Sequence, residues 1–87
     1  MKKDRAEFQK EAKNLIEVNA RALVDNPDGV EVRINQGENT TVFYLACDKI
    51  DLGKLIGKQG KTAQAMRTIL INMASKYNFR AILEIEE

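Results

Sequence analysis

Two glycines three residues apart, Gly57 and Gly60, interrupt a segment that otherwise carries the apolar spacing of a helix: "KLIGKQGKTAQAM", residues 54–66. Glycine inside a helix costs about 1 kcal/mol relative to alanine. A pair this close therefore divides the segment. Gly57 ends one helix, Gly60 opens the next, and Lys58-Gln59 is the whole connection. So short a turn calls for positive φ, which glycine adopts without strain. The chain must accommodate two short, abutting helices around this corner.

The rest of the chain supplies what those helices pack against. Residues 4–24, "DRAEFQKEAKNLIEVNARALV", place Phe8, Ala12, Leu15, Ile16, Ala22 and Leu23 at helical spacing, although Asn19 interrupts the apolar face. The first dozen residues are very polar and are expected to fray. "DNPDG", 25–29, stops the helix, since Asp, Asn, Pro and Gly are all turn formers. "VEVRI", 30–34, alternates apolar and charged residues as a half-buried strand does, "NQGEN" is a hairpin-length turn, and "TTVFYLAC", 40–47, reads as an antiparallel partner strand. In "DKIDLGKLIG", Asp48 or Asp51 is expected to cap a short helix, with Ile50, Leu52, Leu55 and Ile56 on its buried side. From Gly60, Ala63, Met66, Ile69, Leu70, Met73, Ala74 and Tyr77 mark the second helix of the corner. "RAILEIE", 80–86, is a last strand. The order is α-β-β-α-α-β, an α+β layer of three helices on a three-stranded sheet.

With 87 residues the chain has room for one small domain. A single cysteine, Cys47, rules out an internal disulfide, and the absence of histidine rules out a Cys/His zinc site. No apolar run approaches the roughly 18 residues of a membrane span. "MKKDRAEFQK" lacks the apolar stretch of a signal peptide, so the expectation is a natural start at Met1 and a cytoplasmic protein. Fourteen basic and thirteen acidic residues leave a net charge of +1, so any polyanion site must be local.

The glycine corner is where such a site can lie. It exposes the unpaired amides at a helix N-terminus, with the positive end of the helix dipole behind them. Missing side chains let a phosphodiester approach closely. Lys49, Lys54, Lys58, Lys61 and Arg67 gather in this stretch, opposed only by Asp48 and Asp51.

"LIGKQGKT" between two helices, in α-β-β-α-α-β order, resembles the KH domain and its GxxG loop, in the bacterial type II arrangement with a mixed sheet. "ALVDNPDGVEV" at 22–32 together with "GKLIGKQGKTAQAMRTIL" at 53–70 is similar to the small bacterial KH proteins of the KhpA/YlqC family. The resemblance covers about residues 14–87 and makes residues 1–13 a polar extension of the first helix. Two further departures are Asn19, where the family tends to be apolar, and Ala63, where KH domains at large prefer a bulky aliphatic. The resemblance implies single-stranded RNA as ligand, no cofactor and no small-molecule substrate. It implies that Gly57-Lys58-Gln59-Gly60 holds the backbone of about four nucleotides. Lys58 and Gln59 would face the phosphates, while Lys54, Lys61 and Arg67 add charge. Ile56 would floor an apolar groove, with the last strand from Arg80 as the opposite wall. The short turn at 77–79 replaces a variable loop, which implies weak sequence discrimination. The family further implies a homodimer, or a heterodimer with a larger Jag-type KH protein, and RNA chaperone or regulatory work tied to cell shape.

Competing readings are weaker. "GKT" at 60–62 lacks the glycine a P-loop needs at position 55, which is Leu55, and no strand precedes it. Phe8, Phe43, Tyr44, Tyr77 and Phe79 read as core rather than stacking platforms, and Cys47 as a buried small hydrophobe with no histidine to activate it. No carboxylate pair suggests acid–base chemistry, so the chain is not read as an enzyme. A ribosome-assembly factor of the related KH kind would carry Ala-x-Gly in place of the intact loop. A protein-interaction module and single-stranded DNA binding remain as alternatives.

Overall fold

The computed structural model describes residues 4–87; the expectation of a natural start at Met1 lies outside them. Helix α1 spans Arg5–Leu23, strands β1 and β2 span Glu31–Gln36 and Thr41–Ala46, helix α2 spans Leu52–Ile56, helix α3 spans Lys61–Lys76, and strand β3 spans Ala81–Ile85. Single 3-10 turns cover Pro27–Gly29, Lys49–Asp51 and Lys58–Gly60. The strand order is β1-β2-β3, with β1 antiparallel and β3 parallel to β2. The register sets Arg33 opposite Tyr44 and Tyr44 beside Glu84. No helix among the described residues is long and apolar enough to cross a membrane.

Local chemistry explains the boundaries. The Asp4 carboxylate accepts the Glu7 N–H at 2.8 Å and caps α1. The helix starts at Arg5, and Phe8 and Ala12 in its first turns are fully buried. Its apolar stripe is Phe8, Ala12, Ile16 and Ala20, a strict four-residue repeat. Ala22 and Leu23, expected on that stripe, are exposed, and Asn19 lies outside it with its amide donating to the Leu15 carbonyl at 2.8 Å. The sheet turns Val32, Phe43, Leu45 and Leu83 toward the helices. Each such side chain contributes about 1.5–3 kcal/mol by burial. From α3 come Ala63, Met66, Leu70 and Ala74, while Ile69 is exposed and Met73 and Tyr77 are only partly covered.

Around residues 48–51 the expectation fails. Neither aspartate caps a helix with its side chain. Asp51 is buried, and its two oxygens accept the Asp25 and Asn26 amides at 3.2 and 3.1 Å. The Asp48 carboxylate accepts the Asn26 side-chain amide at 2.7 Å. Both carboxylates thus hold the turn after α1, a partner some twenty-five residues away that helical spacing cannot reveal. Ile50, expected inside, is 87% exposed, because the 3-10 turn rotates it away from Leu55.

Candidate nucleic-acid interface

α2 is only five residues long and stops at Ile56. Gly57 then takes φ 78° and ψ 171°, Gln59 φ 59° and ψ 25°, and Gly60 φ 75° and ψ 11°. Three of four loop residues therefore have positive φ. Two are the glycines the sequence marks. Gln59 is a non-glycine residue in the left-handed region, which no sequence pattern announces. The Gly57 N–H donates to the Gly53 carbonyl at 2.9 Å, and the Gly60 N–H to the Gly57 carbonyl at 3.0 Å, so the loop is a closed turn.

The consequence is an open helix end. Gly60 occupies the N-cap position of α3, has no side chain to cap it, and no acidic residue stands in the first turn. The Lys61 N–H donates back to the Lys58 carbonyl, and the amides that follow it in this 16-residue helix have no side-chain cap and the positive end of the dipole behind them. Lys58, Gln59 and Lys61 are exposed around them. A β-carbon on Gly57 would lie 2.6 Å from Thr62 Cβ and 2.8 Å from the Thr62 backbone nitrogen. The loop therefore folds directly against the first turn of α3.

Ile56 is half-buried at the edge of this loop. The other expected site residues divide. Lys54 turns away: its Nζ lies 3.3 Å from Asp25 and 3.7 Å from Asp51. The hydrogen bond and charge of Asp25, with Asp51 behind, raise its pKa above the ordinary lysine value. Lys54 therefore ties α2 to the turn after α1. Arg67 lies between α3 and β3, where its Nε donates to the Leu83 carbonyl at 3.2 Å. Arg80 is exposed at the start of β3, just past the far end of α3. Sixteen helical residues span about 24 Å, so Arg80 does not belong to the loop cluster.

The groove between α3 and β3, about 400 Å³, is lined chiefly by Ile71, Ser75, Ala81 and Ile82. Ile56 is not among its walls. Ile71 and Ile82 are 52% and 45% exposed; Ile82 falls within the stretch 80–83 expected as the groove's wall, whereas Ile71 was not expected there. The available signal was their place beside buried neighbours, Leu70 and Leu83, which puts them on the opposite side of each stripe.

The remaining candidates fall out of contention on geometry. Phe43 is fully buried, and the Tyr44 ring is covered by the Arg33 guanidinium 5.2 Å from its centroid. Arg33 is held there by Glu86. Cys47 is half-buried rather than fully buried; desolvation first, then Asp51 and Asp48, push its thiol pKa up, which disfavours the reactive thiolate.

Two helices joined by an intact GxxG turn and backed by a mixed three-stranded sheet define a type II KH fold. Solved structures agree on the fold. Era from Aquifex aeolicus bound to GDP and aluminium fluoride superposes with a TM-score of 0.57 over 85% of this chain, at 21% identity. Era in complex with MgGDPNP and nucleotides 1506–1542 of 16S ribosomal RNA gives the same score. This chain spans less than a third of Era. The sequence model of the KhpA/KhpB KH domain matches residues 13–85, and the chain belongs to that family. It is 48% identical over 75 residues to the RNA-binding protein KhpA of Aquifex aeolicus, covering 86% of this chain and 95% of that one. The KhpA of Chlamydia pneumoniae is 46% identical over 65 residues, covering 75% and 83% of the two chains.

Proposed function

We propose that this protein binds single-stranded RNA by its backbone, using Gly57-Lys58-Gln59-Gly60 as the clamp. It acts without catalysis, as an RNA chaperone or post-transcriptional regulator in the cytoplasm. The observation that carries this reading is the N-terminus of α3, which has no side-chain cap, presented by a closed positive-φ turn and flanked by Lys58 and Lys61. Its relatives' name, RNA-binding protein, supports it. Phosphate oxygens accept from the amides that the turn leaves without an internal partner, the lysines supply attraction, and Ile56 offers an apolar edge to the first base. Arg67 stands midway along the path and Arg80 at its end. Lys54 serves the footing of the loop through Asp25 and Asp51. Residues 14–87 make up the KH domain and residues 5–13 extend its first helix; the first three residues of the expected extension lie outside the described residues.

A KH clamp engages about four nucleotides. With a single-strand slope near 0.7 per phosphate, log affinity against log salt should fall with a slope of about −2.8. So few contacts make a weak binder. Pairing with a second KH surface, in a homodimer or with a larger Jag-type KH protein, raises affinity by effective concentration.

The test is a titration of fluorescent single-stranded RNA with the wild type and a Lys58→Asp, Gln59→Asp double variant, at two salt concentrations. Aspartate tolerates left-handed backbone, so the loop should keep its shape; circular dichroism checks this. The expected result is a loss of about tenfold or more in affinity. Equal binding by a folded variant would move the RNA site away from the loop and favour a protein-interaction module.

A further inference from the structure

The end of the molecule farthest from the glycine loop carries a polar cavity of about 390 Å³. Three elements enclose it. Arg5 comes from the start of α1, Gln36, Asn39 and Thr41 from the β1–β2 hairpin, and Asn78 and Arg80 from the turn into β3. Phe79 lines both this cavity and the α3–β3 groove, and so does Arg80. The groove and the cavity thus adjoin at these two residues, near the C-terminal end of α3.

Charge and geometry specify the ligand. Among the described residues no carboxylate pairs with Arg5 or Arg80. Arg5 sits over the Phe79 ring, 5.6 Å from its centroid, and Phe79 packs on the buried Phe8 at 5.2 Å between centroids. A core contact thus orients the Arg5 guanidinium at the cavity wall. Guanidinium is weakly hydrated and its forked donors match phosphate oxygens. Asn39 and Asn78 add exposed amides. Gln36 is occupied already, accepting from the Thr41 hydroxyl at 2.6 Å. Arg5 also precedes residue 13, where the family match begins. The cavity is thus completed by a part of the chain outside that match.

We propose that Arg5 and Arg80 form a second phosphate subsite, which takes a phosphodiester of the same RNA strand beyond the nucleotides held at the glycine loop. The proposal rests on the clamp reading above. It makes the early turns of α1 part of the RNA path and lengthens the footprint beyond four nucleotides.

The test uses fluorescent oligouridines of four and seven nucleotides. Seven is too short to seat two chains side by side. A seven-nucleotide strand offers four registers for a four-nucleotide clamp, so statistics alone yield up to fourfold tighter binding. The wild type should prefer the longer strand by about tenfold or more. Arg5→Gln should leave the four-nucleotide affinity unchanged and reduce the preference to the statistical factor. Its salt slope on the longer strand should shrink by about 0.7, one phosphate contact. Arg5→Lys, which keeps the charge but not the fork, should fall between the wild type and Arg5→Gln. If Arg5→Gln binds the longer strand as the wild type does, or weakens both strands alike, the subsite is refuted while the clamp stands. If the Lys58→Asp, Gln59→Asp variant keeps full affinity for the four-nucleotide strand, the clamp falls, and this subsite with it.

Discussion

Replacing Gly57 by alanine should damage this protein far more than replacing Gly60, although both glycines have φ near +75°. At Gly57 the pair φ 78°, ψ 171° lies in a region essentially reserved for glycine, where another residue costs about 1–3 kcal/mol. The added methyl would also meet Thr62 Cβ at 2.6 Å and the Thr62 backbone nitrogen at 2.8 Å. Overpacking of this kind adds about 1–3 kcal/mol. The two together come to about 2–6 kcal/mol. At Gly60, φ 75° and ψ 11° are ordinary left-handed backbone, and nothing lies within 4 Å of a new β-carbon. Only the conformational term remains, about 1–2 kcal/mol. For a domain of this size each kcal/mol shifts Tm by about 4–8 °C. Thermal unfolding should therefore place Gly60→Ala about 4–16 °C below wild type and Gly57→Ala further down, at least about 8 °C and centred near 16–32 °C below. Adding Thr62→Ala to Gly57→Ala should recover only part of the loss, since the Thr62 backbone nitrogen stays. Equal Tm for the two single variants would refute the assignment of the close approach to Gly57, and so the packing of the loop on α3.

Phe8→Ala removes a fully buried ring that meets Phe43 edge-on at 6.2 Å and Phe79 at 5.2 Å. Urea unfolding should show a loss of about 3–5 kcal/mol; a loss below about 1 kcal/mol would mean the first turns of α1 are not part of the core. Asp51 has its pKa lowered, first by the Asn26 amide, then by the Asp25 amide and Lys54, against the desolvation that raises it. A depressed carboxylate stabilises the fold above its unfolded pKa of about 3.9 and loses that contribution as pH falls through the lower folded value. Asp51→Asn should thus lower Tm at neutral pH, and the gap to wild type should narrow as pH falls below about 4. A gap independent of pH would show that the charge of Asp51 is not what holds residues 25 and 26.

Much of the fold was legible because it is written in local spacing. The stripe in α3, the alternation in β1 and the stop at "DNPDG" each depend on neighbours a few residues away, and the elements fall within a residue or two of where those patterns end them. The candidate site was legible for a similar reason. Glycines placed against helix propensity mark positive φ, and both glycines have it. Lys54 was not legible: its sequence neighbours make it one more loop cation, while Asp25, twenty-nine residues earlier, removes it. Periodicity also misplaced Ile50 and Ile69, since it reports which residues share a face but not whether anything covers that face.

By itself the sequence determined the element order, the sharp corner at Gly57–Gly60 and the cations beside it, because backbone preference and side-chain alternation act over one or two turns. The tertiary structure alone decided which charges stay free. Asp51 became a buried anchor for two distant amides and Lys54 its partner. It also decided that Arg5 and Arg80, seventy-five residues apart, should line one cavity beside the α3–β3 groove. Electrostatic and packing contacts depend on distance in space, and three elements must dock before that distance exists.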